Sequence, residues 1–271
     1  MVTVLDSFED GDISEYSGDT GAFDVVSSPT YDGGNALESL GNSFNNDITR
    51  TDVTIAPSET PFGAWVQYDT VGTPSPRFGI DFAVQSATGN AGLSGYRIVL
   101  VTEFELLELY RVDDGSDTVL ASADYSNGST GTWFNVVCTE WTSSGDVTVE
   151  IRDTGGSTLA SVSVTDSTYG SGGIGFNAVS DETFNYDYYY KPTTIAPPSN
   201  VQITDATTED GLTLDWDTSG TGASGYYVYR AESSGSTTSD YTQVADVTSP
   251  PYTDTGLEDG EQFYYRVSSH D

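Results

Sequence analysis

Residues 95–112, GYRIVLVTEFELLELYRV, constrain the fold more than any other stretch of the chain. Apolar side chains alternate with others on both sides of an acidic turn, first at Tyr96, Ile98 and Leu100 and then at Leu107 and Leu109. A period of two predicts β-strands, and two such runs around a short connection predict a hairpin with at least one buried face.

The remaining chain repeats this pattern. About a dozen short apolar runs, spaced roughly ten residues apart and separated by Gly, Asp and Ser, predict an antiparallel β-sandwich. No stretch of useful length has the period of an amphipathic helix, so the chain is predicted to be all-β. The tyrosines within residues 186–190 also alternate, and roughly half of them are predicted to be exposed.

The charge balance is strongly acidic. The 271 residues include 42 acidic and 8 basic side chains, Lys191 is the single lysine, and the formal net charge is -34. Such a surface repels nucleic acid and anionic membranes, so neither is predicted as a partner. Because salt screens charge repulsion over roughly 3 Å at 1 M ionic strength, the composition predicts a halophilic source. The acids are spread singly along strand-like segments, which disfavours a disordered acidic tail and a calcium-sponge protein.

The sequence carries no stretch near the ~20 apolar residues of a membrane span, so membrane insertion is not expected. The N-terminus runs from Met1 into VTVLDSFEDG, and no secretory signal is recognised there. Either a signal has been removed, or the protein leaves the cell without one. The one cysteine, Cys138, lies in the strand pattern WFNVVCTEW and is predicted to be a buried structural thiol.

The first part of the chain resembles concanavalin A-like, or laminin-G-like, jelly rolls. The resemblance rests on the segments GYRIVL, LLELYRVDDGSDTVLAS, GTWFNVV, VTVEIRDTGGSTLASVSVTDSTYGSGGIGF and FNYDYYY. It covers residues 1–190 and implies an antiparallel jelly-roll sandwich, as found in many surface and carbohydrate-binding modules. That fold hosts lectins, enzymes, adhesins and spacers, so the resemblance leaves the ligand open.

The last part of the chain forms a second, smaller domain. Residues 191–199 contain three prolines and no strand period, which predicts a stiff linker. Residues 200–271 resemble a fibronectin type III sandwich through LTLDWD, with Trp216 as a core residue, GYYVYR and YTDTGLEDGEQFYYRV. The sequence ends before the seventh strand of that fold. We expect either that the natural protein continues past Asp271 or that a neighbouring subunit donates the missing strand.

Few residues suggest catalysis. His270 is the single histidine, which disfavours Ser-His-Asp and Cys-His mechanisms. Glu103, Glu105 and Glu108 form E-x-E-x-x-E, which resembles the E-x-D-x-x-E signature of laminarinase-type glycoside hydrolases, in which the outer acids act as nucleophile and acid/base. A retaining mechanism needs those acids roughly 5 to 5.5 Å apart. Here the middle residue is Glu and the acids surround a predicted turn, so we predict solvated side chains and no enzyme activity.

The jelly-roll resemblance also implies a structural calcium ion. In carbohydrate-binding modules of this fold, an N-terminal Phe-Glu pair and an Asp near the end of the last strand often share calcium. The matching positions are Phe8-Glu9 and Asp187, with Asp6 or Asp10 as further ligands. Calcium prefers carboxylate and carbonyl oxygens, and at Glu9 and Asp187 it would join the two ends of the domain.

A glycan platform has four candidate aromatic residues, Trp65, Tyr68, Trp133 and Trp141, because aromatic rings stack on sugar faces. Trp133, in GTWF, is interpreted as a core residue. The ligand-binding residues as a set stay unassigned. Asn127 begins the one N-glycosylation sequon, in a predicted loop.

Three functions fit these observations. The first is a non-enzymatic adhesion or structural protein of a halophile, on a virion or cell surface, that forms a homo-oligomer and contacts other virion or surface proteins and a host glycan. The second is a carbohydrate-binding module of a secreted glycoside hydrolase. The third is a degenerate or true glycoside hydrolase. Extracellular-type domains without a recognised signal favour the first, and the predicted location is the virion surface or the extracellular space.

Overall fold

The computed structural model is all-β, as the sequence predicts. It describes residues 2–41, 45–68, 76–86, 89–102, 105–126, 130–179, 182–192, 197–206, 210–218, 223–235, 237–258 and 260–270. The chain divides into two compact units, Val2–Pro192 and Thr193–Asp271. No helix of the described residues is long and apolar enough to cross a membrane.

In the described part of the chain, the first unit is built from fifteen strands divided between two sheets. In chain order they are β1 Val2–Asp6, β2 Ser17–Gly18, β3 Phe23–Val26, β4 Ala36–Ser39, β5 Asn46–Ile55, β6 Phe62–Tyr68, β7 Arg77–Val84, β8 Gly95–Val101, β9 Leu106–Asp113, β10 Ser116–Asp124, β11 Trp133–Trp141, β12 Asp146–Arg152, β13 Thr158–Thr165, β14 Gly172–Val179 and β15 Phe184–Pro192.

These strands form two large antiparallel sheets. The eight-stranded sheet has the order β13-β12-β11-β6-β15-β4-β3, with β1 also paired to β15. The seven-stranded sheet has the order β10-β9-β8-β7-β14-β5-β2. Consecutive strands pair in β11 to β13 and in β7 to β10, whereas β6 with β15 and β14 with β5 are far apart in the sequence, so tertiary contacts set their pairing. The predicted antiparallel sandwich is confirmed.

The predicted hairpin is confirmed as β8 and β9, in which Ile98 lies opposite Leu109. All seven residues of β8 are buried, so this strand is covered on both faces. Tyr96, Ile98 and Leu100 face the other sheet. Val99 packs instead in a smaller cluster on the outer face.

Aromatic side chains fill the space between the two sheets. Phe62 on the eight-stranded sheet contacts Phe82 on the seven-stranded sheet, with ring centroids 5.1 Å apart. Trp141 packs edge-on against both rings and is 1% exposed. Fully burying one such ring contributes roughly 1.5–3 kcal/mol. Cys138 lies in the same core as a free thiol, as predicted.

The second unit contains two three-stranded sheets, β16-β17-β20 and β19-β18-β21. Its strands are β16 Ser199–Asp205, β17 Gly211–Asp217, β18 Gly225–Ala231, β19 Thr242–Val247, β20 Tyr252–Thr255 and β21 Tyr264–His270. Trp216 is 4% exposed and packs with Leu214, Tyr226 and Val228, so its core position is confirmed. Within the described residues β21 pairs with β18 alone, and the source of a seventh strand stays a prediction.

Two residues of the predicted linker 191–199 belong to a strand of the first unit. Lys191 and Pro192 complete β15, where they lie opposite Thr3 and Val2 of β1. The Lys191 ammonium also donates to a Glu59 carboxylate oxygen at 2.8 Å.

Candidate functional site

Polar and aromatic side chains gather on the outer face of the eight-stranded sheet. On its central strand β6, Ala64 and Val66 point into the core, so Trp65 and Gln67 point outward. Trp65 lies opposite Asn135 of β11 and Asp187 of β15. Gln67 lies opposite Trp133 and Asn185 on the same two strands. Cross-strand partners share a face, so the register alone places these six side chains together.

The loop between β3 and β4, residues 27–35, adds a third ring to this face. Tyr31 stacks on Trp65 with ring centroids 3.7 Å apart and an interplanar angle of 12°. It also meets Trp133 edge-on, with centroids 6.0 Å apart. Tyr31 is 38% exposed and Trp65 is 9% exposed. We call Tyr31, Trp65 and Trp133 the aromatic cluster, and Tyr31 presents its outermost ring.

Amide side chains border the aromatic cluster. Gln67 donates to the Gly131 carbonyl at 2.7 Å and accepts from the Asn185 amide at 3.2 Å. Asn135 Nδ2 donates to the Tyr190 hydroxyl oxygen at 2.9 Å, and that hydroxyl donates to Asn135 Oδ1 at 3.2 Å. The buried Asn185 Oδ1 finds no hydrogen-bond partner among the described residues. A buried acceptor of this kind is costly unless a water or a ligand donor satisfies it.

Glu9 and Asp187, the two predicted calcium ligands, both bind the β3–β4 loop. Asp187 Oδ2 accepts hydrogen bonds from the backbone N–H groups of Tyr31 and Asp32, at 2.9 and 3.0 Å. Glu9 Oε1 accepts from the backbone N–H groups of Gly34 and Asn35, both at 2.9 Å. The two carboxylates therefore hold the loop that carries Tyr31 over the sheet.

Asp187 fits the role of a cation ligand. The residue is 0% exposed, and its Oδ1 has no hydrogen-bond partner within the described part of the chain. Burial raises the pKa of Asp187 from 3.8 to about 6, although the N–H groups of Asp32 and Tyr31 oppose this shift. A bound cation would neutralise the carboxylate and satisfy the unpartnered oxygen. Whether Glu9 shares that ion stays a prediction.

A second acidic group lies at the surface near β1. One carboxylate oxygen from each of Asp10, Asp12 and Glu15 lies within 4.8 Å of the others. Asp12 accepts a hydrogen bond from the Ser14 N–H, which lowers the pKa of Asp12. Asp10 and Asp12 are exposed, so water can satisfy these oxygens. Asp6, predicted as a further calcium ligand, instead accepts from Tyr16 and pairs with Arg50.

The structure places two acids of the E-x-E-x-x-E pattern on different elements. Glu105 lies in the turn with a φ of 47°, and its carbonyl accepts the Tyr125 N–H. Glu108 lies on β9 and accepts a hydrogen bond from the Tyr110 hydroxyl. Glu103 lies outside the described residues. Glu105 therefore lies in the predicted turn, and Glu108 lies on the strand that follows it.

The four aromatic candidates divide between the two faces of the sheet. Tyr68 and Trp141 pack in the core. Trp65 and Trp133 lie on the outer face, so the interpretation of Trp133 as a core residue is wrong, because its strand register turns it away from the core. Sequence reasoning missed Tyr31, since no local pattern in YDGGN indicates that the loop folds over a distant tryptophan. The Asn127 sequon lies outside the described residues.

Together these observations define the first unit as an antiparallel two-sheet sandwich with an aromatic and amide cluster on one outer face. The sequence matches no protein-family model, and no curated protein matches it in sequence.

Solved structures with a similar fold include a carbohydrate-binding module, a lectin-like domain and a phage module. The carbohydrate-binding module CBM66 from Bacillus subtilis gives a TM-score of 0.47 at 12% identity and covers 64% of this chain and 96% of its own. The legume lectin-like domain from Entamoeba histolytica gives 0.45 at 11% identity, covering 71% and 100%. The CBM2 module of the evolved Dit protein of Lactobacillus casei phage J-1 gives 0.39 at 14% identity, covering 55% and 71%. We draw neither ligand nor activity from similarities of this size.

Proposed function

We propose that the first unit is a non-catalytic glycan-binding module whose ligand lies on the aromatic cluster. The observation that carries this proposal is the Tyr31–Trp65 stack, with centroids 3.7 Å apart, on an amide-rich outer sheet face. A sugar ring presents an apolar face that packs on an aromatic ring, while its hydroxyl groups need donors and acceptors at the rim. Tyr31 provides the exposed ring, and the partly buried Asn135 provides an amide on the same sheet face.

The charge of the chain favours a neutral glycan. A net charge of -34 opposes the approach of sialylated, sulfated or uronic-acid sugars, most strongly at low ionic strength. The amide side chains of Asn135, Asn185 and Gln67 carry no charge, and each offers both a donor and an acceptor. Neutral hexose or N-acetylhexosamine units match this set.

Calcium at Asp187 would support the module without touching the sugar. The unpartnered Asp187 Oδ1 supports such an ion, and Glu9 supports the same loop from its other end. When bound, the cation supplies positive charge to a buried carboxylate and so stabilises the loop that carries Tyr31. The residues of the chain hold the ring in place, through four backbone N–H groups.

The biological setting is a further proposal. The module fits a secreted or surface-displayed protein of a halophile, either as an adhesion component on a virion or cell, in a homo-oligomer with other surface proteins, or as the binding module of a secreted glycoside hydrolase. The acidic composition supports the saline setting. The second unit, with its two three-stranded sheets around Trp216, supports a fibronectin type III-like spacer.

Glycan binding by the full chain in molar NaCl tests the proposal. A glycan array identifies the best neutral oligosaccharide, and calorimetric titration then compares Tyr31→Ala with Tyr31→Phe. Removing the ring should weaken binding at least about tenfold, as expected for a central aromatic contact. The Phe variant keeps the ring and should bind nearly as tightly as the natural chain. Equal affinity of Tyr31→Ala and the natural chain would exclude this platform.

A further inference from the structure

A second cluster of buried polar groups lies on the outer face of the other, seven-stranded sheet. Arg97 on β8 is 1% exposed, although its neighbours Tyr96 and Ile98 face the core. Its Nε donates to Asp81 Oδ1 at 2.8 Å, and its Nη2 donates to Asp47 Oδ1 at 2.7 Å. The three charged groups come from strands β8, β7 and β5. They form one ion-paired network that neither the glycan proposal nor the core requires.

Gly175 makes room for this network. Gly175 lies between Asp81 and Thr49 in the strand register. A Cβ atom at Gly175 would lie 2.9 Å from Thr49 Cγ2 and 3.3 Å from Asp81 Cβ. Asn177, two residues further along β14, lies opposite Asp47, and its amide donates to Asp81 Oδ1 at 3.4 Å. The Asn177 side chain therefore contacts the network and is itself 0% exposed.

Three oxygens of this network have no hydrogen-bond partner among the described residues. They are Asp47 Oδ2, Asp81 Oδ2 and Asn177 Oδ1, all on residues that are at most 1% exposed. Buried acceptors without donors are rare in folded proteins, and each one costs free energy unless something binds to it. All three are hard oxygen atoms, which are the ligands that alkali and alkaline-earth cations prefer.

The charges of the network do not cancel. One guanidinium faces two carboxylates, and Asp117 adds a third, partly exposed carboxylate 3.6 Å from Arg97 Nη1. A carboxylate oxygen of Asp19 also accepts the Asp47 N–H, at 3.1 Å. When Asp47 and Asp81 are both ionised, the fully buried part carries one excess negative charge, and a buried charge without a partner is strongly destabilising. One added positive charge balances it, whereas a divalent ion would leave an excess of positive charge.

We propose that Asp47, Asp81 and Asn177 bind one monovalent alkali cation on the outer face of the seven-stranded sheet. The ion would contact the three unpartnered oxygens, while Arg97 pairs with the Oδ1 atoms of both carboxylates. Sodium and potassium are the candidates, because their single charge matches the excess and their preferred ligands are oxygen atoms. This site is separate from the calcium position at Asp187, which lies on the other sheet.

Anomalous diffraction with rubidium tests the site directly. Crystals of the full chain grown in rubidium chloride should show an anomalous peak in contact with Asp47, Asp81 and Asn177. The same crystals of Asp47→Asn should lack it, since this change removes the excess charge and keeps the shape. A density peak without anomalous signal would identify water and overturn the proposal, and so would the absence of any peak.

Thermal unfolding tests the site in solution at constant ionic strength. At about pH 8, where carboxylates ionise, chloride salts of sodium, potassium and tetramethylammonium are compared. The natural chain should melt higher in the alkali salts, by about 4 °C for each tenfold rise in cation above half-saturation.

Two variants separate the site from general screening. Asp47→Asn should lose the difference between salts, while Asp124→Asn, an exposed acid on β10, should keep it. Equal melting temperatures in all three salts would overturn the proposal. A melting temperature that depends on pH between about 5 and 8 but not on the cation would also overturn it, because burial raises the pKa of Asp47 to about 7 and a proton would then balance the charge.

Discussion

Replacing Asp187 should loosen the β3–β4 loop and separate Tyr31 from Trp65. Asp187→Ala removes the acceptor of two backbone N–H groups, those of Tyr31 and Asp32. Burial raises the pKa of Asp187 to about 6, so the penalty for burying the charge exceeds the stabilisation that the hydrogen bonds give the charged form. At pH ~5 the carboxyl group is mostly neutral, and each hydrogen bond to it contributes about 0.5–1.5 kcal/mol. We expect a loss of about 1–3 kcal/mol in the free energy of unfolding at that pH, or about 2–12 °C in melting temperature.

The assay is thermal and urea unfolding of the full chain, followed by near-ultraviolet circular dichroism. The signal of the stacked Tyr31–Trp65 pair should fall in Asp187→Ala. Asp124→Asn serves as the matched control for the loss of one acid, and it should melt within about 1 °C of the natural chain. An Asp187→Ala variant with unchanged melting temperature and unchanged near-ultraviolet signal would refute the role of Asp187 in holding the loop.

The pH dependence gives an independent check on the same residue. The folded-state pKa of Asp187 is raised, from 3.8 to about 6. Its contribution to stability is therefore fully present below pH ~4 and decreases as the pH rises through about 6. The difference in stability between the natural chain and Asp187→Asn should fall over that window in chelator. Added calcium should remove the fall, because the ion binds the deprotonated carboxylate.

Three further outcomes follow from other parts of the molecule. Lowering NaCl from ~1 M to ~0.1 M lengthens the Debye length to ~10 Å, so scanning calorimetry should show both units melting at lower temperature; an unchanged profile contradicts a halophilic surface. Cys138 should resist thiol reagents in the native state, since burial raises its pKa, and rapid labelling would contradict its core position. Hydrogen bonds from Tyr96 and Arg111 lower the pKa of Asp166 to about 2. Its contribution to the free energy of unfolding is therefore present above pH ~4 and is lost toward pH 2. In acid unfolding followed by fluorescence, Asp166→Asn should reduce that loss.

The strand pattern could be read from the sequence because strand formation depends on local order. Side chains on a strand alternate between faces, so the runs around Ile98 and Leu109 identify the hairpin without knowledge of any distant residue. The same reasoning correctly placed Cys138 in the core of the first unit and Trp216 in the core of the second.

The prediction of side-chain exposure from alternating residues failed where a strand is irregular. The register of β15 shifts between Asp187 and Tyr190, and Tyr188 adopts a left-handed φ of 53°. The bulge reverses the faces, so Tyr189 points into the core and Tyr190 outward, and both are buried. The prediction that roughly half of these tyrosines are exposed, taken from strict alternation, is therefore wrong. Nothing local in NYDYYY marks the extra residue.

The sequence by itself determined the all-β class, the positions of most strands and the acidic surface, because each depends on residue type and on spacing within a few positions. Tertiary structure alone decided the candidate site. Asp187 binds Tyr31 across 156 positions, and Glu9 binds Asn35 across 26. Tyr31 reaches Trp65 only because strand order brings β15 and β6 together beside the loop. Contacts between such distant residues follow from strand pairing and packing, which periodicity does not encode.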